Sequence, residues 1–229
     1  MSPAPAQNSQ VQQGTQNFGS VEISIHDDRL DIRRGAREWH VGIFQLPVLP
    51  ADCDNPTERE KCERLPKQSP CVACIHYPSP IAWDEANQRL CFAVATGISQ
   101  NRPWIIFRYS LDGNQVTRVT ADYGAGFDMG TLSPSGKYLA YVNYAHIGIC
   151  ETRSFITVLD LNSRQSASTS YSTKSDDEIV LIQSLRWATE TALDYSAEIH
   201  SEAECRHSEA GNYSKRSVAA YLEVVKLFH

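Results

Sequence analysis

Short apolar runs, each set off by a tight polar turn, recur along this chain and predict β-strands. The pattern is clearest in three places. Ile81-Ala-Trp-Asp84 is followed by the turn Glu85-Ala-Asn-Gln88 and the apolar run Arg89–Ala95. Thr131-Leu-Ser-Pro134 is followed by Ser135-Gly136 and by Lys137–Asn143. Ser184-Leu-Arg-Trp-Ala188 is followed by Thr189-Glu190 and by Thr191–Ala197. Phe92, Tyr141 and Tyr195 hold equivalent places in the three copies. Each copy then continues into a hairpin and a third strand: Trp104–Leu111, closed by Asp112-Gly113-Asn114; Phe155–Leu161, closed by Asn162-Ser163; and Ser217–Leu227. Asp-Gly and Asn-Ser are turn chemistry that reverses a strand. Outer strands are predicted at Gln115–Thr120, which alternates with period two, and at Glu178–Gln183, which leads into the third copy. The repeat length of about 50 residues suits one four-stranded propeller blade. The fold class expected is therefore all-β, with propeller-type repeats of four-stranded antiparallel sheets, three to four blades in all, in an open or irregular arrangement.

One copy also carries a specific motif. Leu132-Ser-Pro-Ser-Gly-Lys-Tyr-Leu-Ala-Tyr-Val142, followed by Ile156-Thr-Val-Leu-Asp-Leu161, resembles the repeat of TolB-like β-propellers, in which a Ser-Pro-Asp-Gly turn introduces a Leu-Ala-Phe/Tyr strand. Ser135 replaces the usual Asp, and the flanking copies lack the Ser-Pro turn. The resemblance is close over 131–164 and weaker over 80–120 and 184–227. It implies a scaffold for protein–protein contact and carries over no catalytic residue.

The N-terminal part is less regular. Residues 1–19 are rich in Gln, Ser, Pro and Ala and read as a disordered leader, with little to bury. Residues 20–229 read as one domain. Within it, Ser20–Ile25 and His40–Leu46 are predicted strands. They form a partial first blade, or Val21–Ile25 closes the ring against the last blade. Arg29, Arg33, Arg34 and Arg37, with Asp27, Asp28 and Asp31 between them, read as a solvated surface.

Seven cysteines change the picture. Cys91 sits in the apolar run Leu90–Val94 and is expected to be a buried thiol. Five of the seven fall in loop-like stretches, and setting Cys91 aside leaves an even six, Cys53, Cys62, Cys71, Cys74, Cys150 and Cys205, which points to disulfides and an oxidising compartment. The first four lie in an inserted loop, 47–80, long enough to need cross-links. Cys71-Val-Ala-Cys74 has zinc-ligand spacing, with His76 nearby, but zinc sites usually pair two such motifs and here there is one. Cys150 and Cys205 occupy the same hairpin of successive copies, so neighbouring blades set them side by side, and a Cys150–Cys205 disulfide is predicted.

The net charge of −6 and the scattered basic residues argue against nucleic acid as a partner. No apolar run approaches the length of a membrane span. Gly130–Tyr138 only superficially resembles a phosphate loop: the spacing is one residue too long, and Tyr138 stands where a Ser or Thr should meet magnesium. Neither a Gly-x-Ser-x-Gly elbow nor a His-Glu-x-x-His pair occurs. The acidic groups Asp27-Asp28 and Asp176-Asp177-Glu178 read as solvated rather than as calcium loops. No cofactor or metal is expected.

These features predict an exported, periplasmic or secreted, non-enzymatic protein-binding module. The version expected is an inhibitor or immunity protein that blocks a basic secreted enzyme or effector; an accessory scaffold of an envelope complex is the alternative. Contacts are expected on long hairpins held by the sheets: His146, Glu151 and Arg153 on one, Glu202, Glu204, His207 and Glu209 on the other. A lectin stacking sugars on Trp39, Trp83, Trp104 or Trp187, or a glycoside hydrolase, stands as a further alternative, with core packing the preferred reading of Trp83 and Trp187.

Overall fold

The computed structural model describes residues 14–26, 29–42, 46, 75–96, 102–124, 126–146, 152–170, 178–201 and 216–228. Among them there is no α-helix. Strands β1 (Gly14–Phe18), β2 (Val21–Ile25), β3 (Arg29–Arg34) and β4 (Arg37–Gly42) form the first antiparallel sheet. Strands β5 (Ile75–Asp84), β6 (Arg89–Thr96), β7 (Arg102–Ser110) and β8 (Gln115–Gly124) form the second. The third holds β9 (Gly126–Leu132), β10 (Tyr138–His146), β11 (Thr152–Asp160) and β12 (Ser166–Thr169). The fourth has three strands, β13 (Glu178–Thr189), β14 (Ala192–Ser201) and β15 (Arg216–Glu223), and is followed by a 3-10 helix, Val224–Leu227. Each sheet is a simple meander with its strands in chain order. The four sheets make an open row of propeller-type blades, with the first strands β5, β9 and β13 meeting along the inner side.

The core lies between blades, in three layers. Val21, Ile23, Ile25, Leu30 and Ile32 of the first blade meet Leu90, Phe92, Val94, Ile105, Phe107 and Tyr109 of the second. Cys91, Ala93, Ala95, Trp104 and Ile106 then meet Leu139, Tyr141 and Leu159 of the third. Ala140, Val142, Ile156 and Val158 meet Val180, Ile182, Leu193, Ala197 and Ile199 of the fourth. Side chains alternate faces along a strand. A middle blade is covered on both faces, so β6 and β10 must be apolar at every position, as Leu90–Ala95 and Leu139–Val142 are. An end blade is covered on one face and shows alternation, as in the buried and half-buried sequence of Val21–Ile25.

That difference explains the corrections to the sequence reading. The first blade is complete, and β2 is its second strand, not a strand closing the ring. The charged run around Arg29–Arg37 is the β3–β4 hairpin: Leu30 and Ile32 face the core, while Arg33 reaches Glu22 and Glu38 on the open face. The expected leader ends early, because Gly14–Phe18 pairs in register with β2 through a turn in which Gly19 takes φ +56°. The inserted loop is shorter than 47–80, because Ile75–Pro80 already belong to β5. Pro78 and Pro80 flank register shifts there, and bulges are where a strand tolerates proline. Glu178–Gln183 is the start of β13, not an outer strand. The outer strand of the third blade is the short Ser166–Thr169, whose small polar residues give no apolar signal.

Candidate functional site

The meander sorts the connections to two ends of the sheets. Hairpin turns at 19–20, 35–36, 85–88, 111–114, 133–137, 161–165 and 190–191 lie at one end. The connections from second to third strands (97–101, 147–151, 202–215) and from blade to blade (43–74, 171–177) leave from the other. The expected partner hairpins therefore share one end. His146 closes β10, and Arg153 on β11 pairs with Ala145, both placed by backbone alone. Glu151, Glu202, Glu204, His207 and Glu209 lie outside the described residues, as do Cys53, Cys62, Cys71, Cys74, Cys150 and Cys205. Cys91 is described: it is a buried free thiol, and burial pushes its pKa up to about 12, which disfavours the reactive thiolate.

At the turn end the chemistry is explicit. Glu190, in the turn of the fourth blade, accepts hydrogen bonds from the hydroxyls of Ser133 (2.8 Å) and Ser135 (2.5 Å) and from the Ser135 backbone N–H (2.9 Å), all in the turn of the third blade. Burial pulls the Glu190 carboxyl upward, but these donors outweigh it and hold the group below the usual carboxylate range. Glu85, in the turn of the second blade, does the same for the first. It accepts from the Ser20 hydroxyl (2.8 Å) and pairs with the Arg34 guanidinium (2.6 Å). Trp83 Nε1–H also donates to it (2.7 Å), and this bond leads the lowering of its pKa. Between the second and third blades close approach replaces the acid. Gly130 runs so near β5 that a Cβ would lie 2.5 Å from the Ile81 carbonyl oxygen, and Gly136 (φ +71°) leaves room for Asp84. The sequence reading saw these segments only as turns. The missed signal is that Glu85 and Glu190 each follow closely on the inner-strand tryptophan, Trp83 or Trp187.

A second polar cluster lies on the open face of the first blade. Asp31 meets His40 Nδ1 (2.7 Å), His26 Nε2 (2.9 Å) and Arg29 Nε (3.0 Å). Burial raises its pKa, but the hydrogen bonds from His40 and Arg29 and the nearby positive charge outweigh that and leave it lowered. Among the described residues no group of three or more His, Cys, Asp or Glu side chains has an arrangement that could hold a metal ion. Three tryptophans weighed as sugar platforms are engaged elsewhere. Trp83 holds Glu85, Trp104 is buried edge-on to Phe127, and Trp187 donates to the Thr131 carbonyl and stacks on Tyr138. No described helix is long and apolar enough to cross a membrane.

No family model matches the chain, and no curated protein matches it in sequence. Solved structures of similar shape include a prolyl endopeptidase (8% identity, TM-score 0.47), covering 88% of this chain and 28% of that one. A puromycin-hydrolysing peptidase of Mycobacterium tuberculosis has 13% identity and TM-score 0.47, with 89% and 30% covered. An oligogalacturonate lyase has 10% identity and TM-score 0.46, with 82% and 50% covered. The chain thus spans a third or less of the two peptidases and half of the lyase. At these identities and scores the likeness carries no activity, substrate or site to this chain. The expectation of a non-enzymatic chain rested on the absence of catalytic motifs alone and is withdrawn, the three neighbours named being enzymes.

Proposed function

We propose that this chain is an exported protein-binding module, with TolB-like repeats in the blade around residues 131–164 and its contacts on connections at one end of the sheets. The observation that carries this is the topology. One end is tied blade to blade by Glu85, Glu190 and the close approach at Gly130. The other end carries every long connection, including 147–151 and 202–215. A rigid end opposite a loop-bearing end is the layout by which scaffolds present binding residues. Six cysteines on those connections favour a periplasmic or secreted setting. With a net charge of −6, a basic secreted enzyme or effector is the complementary partner, and inhibition or immunity the role that fits.

The test compares the oxidised chain with a variant whose residues 202–215 are replaced by a Gly/Ser linker between the ends of β14 and β15. Both are used as bait in envelope and secretome extracts, with quantitative mass spectrometry. The reading expects one protein held in stoichiometric amount by the parent chain and lost with the variant. Equal capture by both, or none by either, contradicts it.

A further inference from the structure

Among the described residues the fourth blade has three strands, and β15 is the last of them, with no described strand beside its outer edge. An open edge is a template for another strand unless the sequence blunts it. The other outer edges are blunted. β4 carries Arg37 and Glu38, β8 carries Arg118, and β12 is four residues of Ser, Ala and Thr. β15 is eight residues long, and its stretch Ser217-Val-Ala-Ala-Tyr-Leu222 holds no charge and no proline. The large hydrophobic side chains most exposed among the described residues are Tyr221 (58%) and Val225 (48%). One lies on β15 and the other just beyond it. Val224 is pulled inward by its N–H bond to the Thr191 carbonyl, so the open edge stops at Glu223.

We propose that β15 is the contact edge of a homodimer, in which a second copy of β15 pairs antiparallel with it. The strand is self-complementary. A two-fold axis perpendicular to the sheet keeps each face continuous and places residues of equal parity opposite each other. With the axis at Ala220, the two Ala220 residues meet at the crossing, where their small side chains allow close approach. Val218 then faces Leu222 of the second copy and continues the inner, half-buried face. On the outer face Tyr221 covers Ala219 of the second copy, and Ser217 stands opposite Glu223 within hydrogen-bonding reach. No like charges fall opposite each other, which would otherwise disfavour the pair. Each three-stranded blade so becomes part of one continuous sheet in which β15 has a neighbour on both sides.

Sedimentation velocity of the full chain over a wide concentration range tests this, with backbone hydrogen exchange at β15 as a second readout. The expected result is a reversible dimer whose β15 amides gain protection with concentration, and a dissociation constant raised about tenfold or more by Tyr221→Lys. Ala219→Lys, which puts two like charges near the axis, is expected to act the same way, with circular dichroism unchanged in both variants. A chain that stays monomeric throughout overturns the proposal. So does a dimer that both variants leave intact, or a monomer whose β15 amides are already protected by another segment of the same chain.

Discussion

Replacing Glu190 with Ala tests how the blades are held in line. The carboxylate accepts three hydrogen bonds from the neighbouring turn, two from hydroxyls and one from a backbone N–H. A hydrogen bond to a charged group contributes about 1.5–3 kcal/mol when well shielded. The turn is partly open to water, where pairs of charged groups fall to about 0.2–1 kcal/mol. Ser133, however, is buried, and its hydroxyl loses its carboxylate acceptor in the variant. Weighing these, Glu190→Ala should cost about 2 kcal/mol, a fall of roughly 4–8 °C in Tm for a domain of this size. Glu190→Gln keeps one acceptor oxygen and should cost about half as much. The pH dependence has a fixed sign. The folded carboxyl titrates below its ordinary 4.5, so its contribution is fully present above that value and disappears as pH falls through the lowered one. Urea unfolding of parent, Glu190→Ala and Ser135→Ala at neutral pH and near pH 3 measures this. The reasoning is refuted if Glu190→Ala shifts the neutral midpoint negligibly, or if the gap between parent and variant is as wide in acid as at neutrality.

Other outcomes follow from the same geometry. Gly130→Ala forces a methyl against the Ile81 carbonyl and should cost about 1–3 kcal/mol or more by overpacking, read as a drop in the thermal midpoint. Phe92→Ala empties a fully buried site stacked on Phe107 and should cost about 3–5 kcal/mol, read by denaturant unfolding. Cys91 should resist a thiol reagent in the native chain and react on unfolding, because burial keeps it protonated; quantification of the modified Cys91 peptide decides it. Asp31→Asn should destabilise the first blade above the ordinary aspartate value of 3.8 and leave stability unchanged well below it, since the folded carboxyl is lowered; melts across that range check the sign.

How much of this was legible depended on where each blade sits. β6 and β10, covered on both faces, announce themselves as unbroken apolar runs with turns at Glu85–Gln88 and Ser133–Gly136, and the repeat was visible from them. The first blade was hidden because one face is open: charges at Asp31 and Arg33 alternate with Leu30 and Ile32, and the eye takes the charges for a solvated stretch. β5 was shortened because Pro78 and Pro80 read as loop, though bulges accommodate them. β12 gave no signal because an outer strand of Ser, Ala and Thr buries little. Glu85 and Glu190 were missed as linking residues for a different reason: their partners, Ser20, Ser133 and Ser135, are 55 to 65 positions away, and a turn acid looks solvated until the neighbouring blade is in place. Cys91 was readable from its apolar flanks alone.

The proposed function takes neighbouring blades to present their connections at one end and the protein to work in an oxidising setting. Mass mapping of disulfides in the full chain, isolated under non-reducing conditions from its native source, tests that most directly. β10–β11 and β14–β15 are joined by corresponding connections of adjacent blades, 147–151 and 202–215. The account therefore predicts a peptide linking Cys150 to Cys205, with Cys91 recovered as a free thiol. Finding Cys150 and Cys205 both free, or each bonded within the 53–74 group instead, would contradict it.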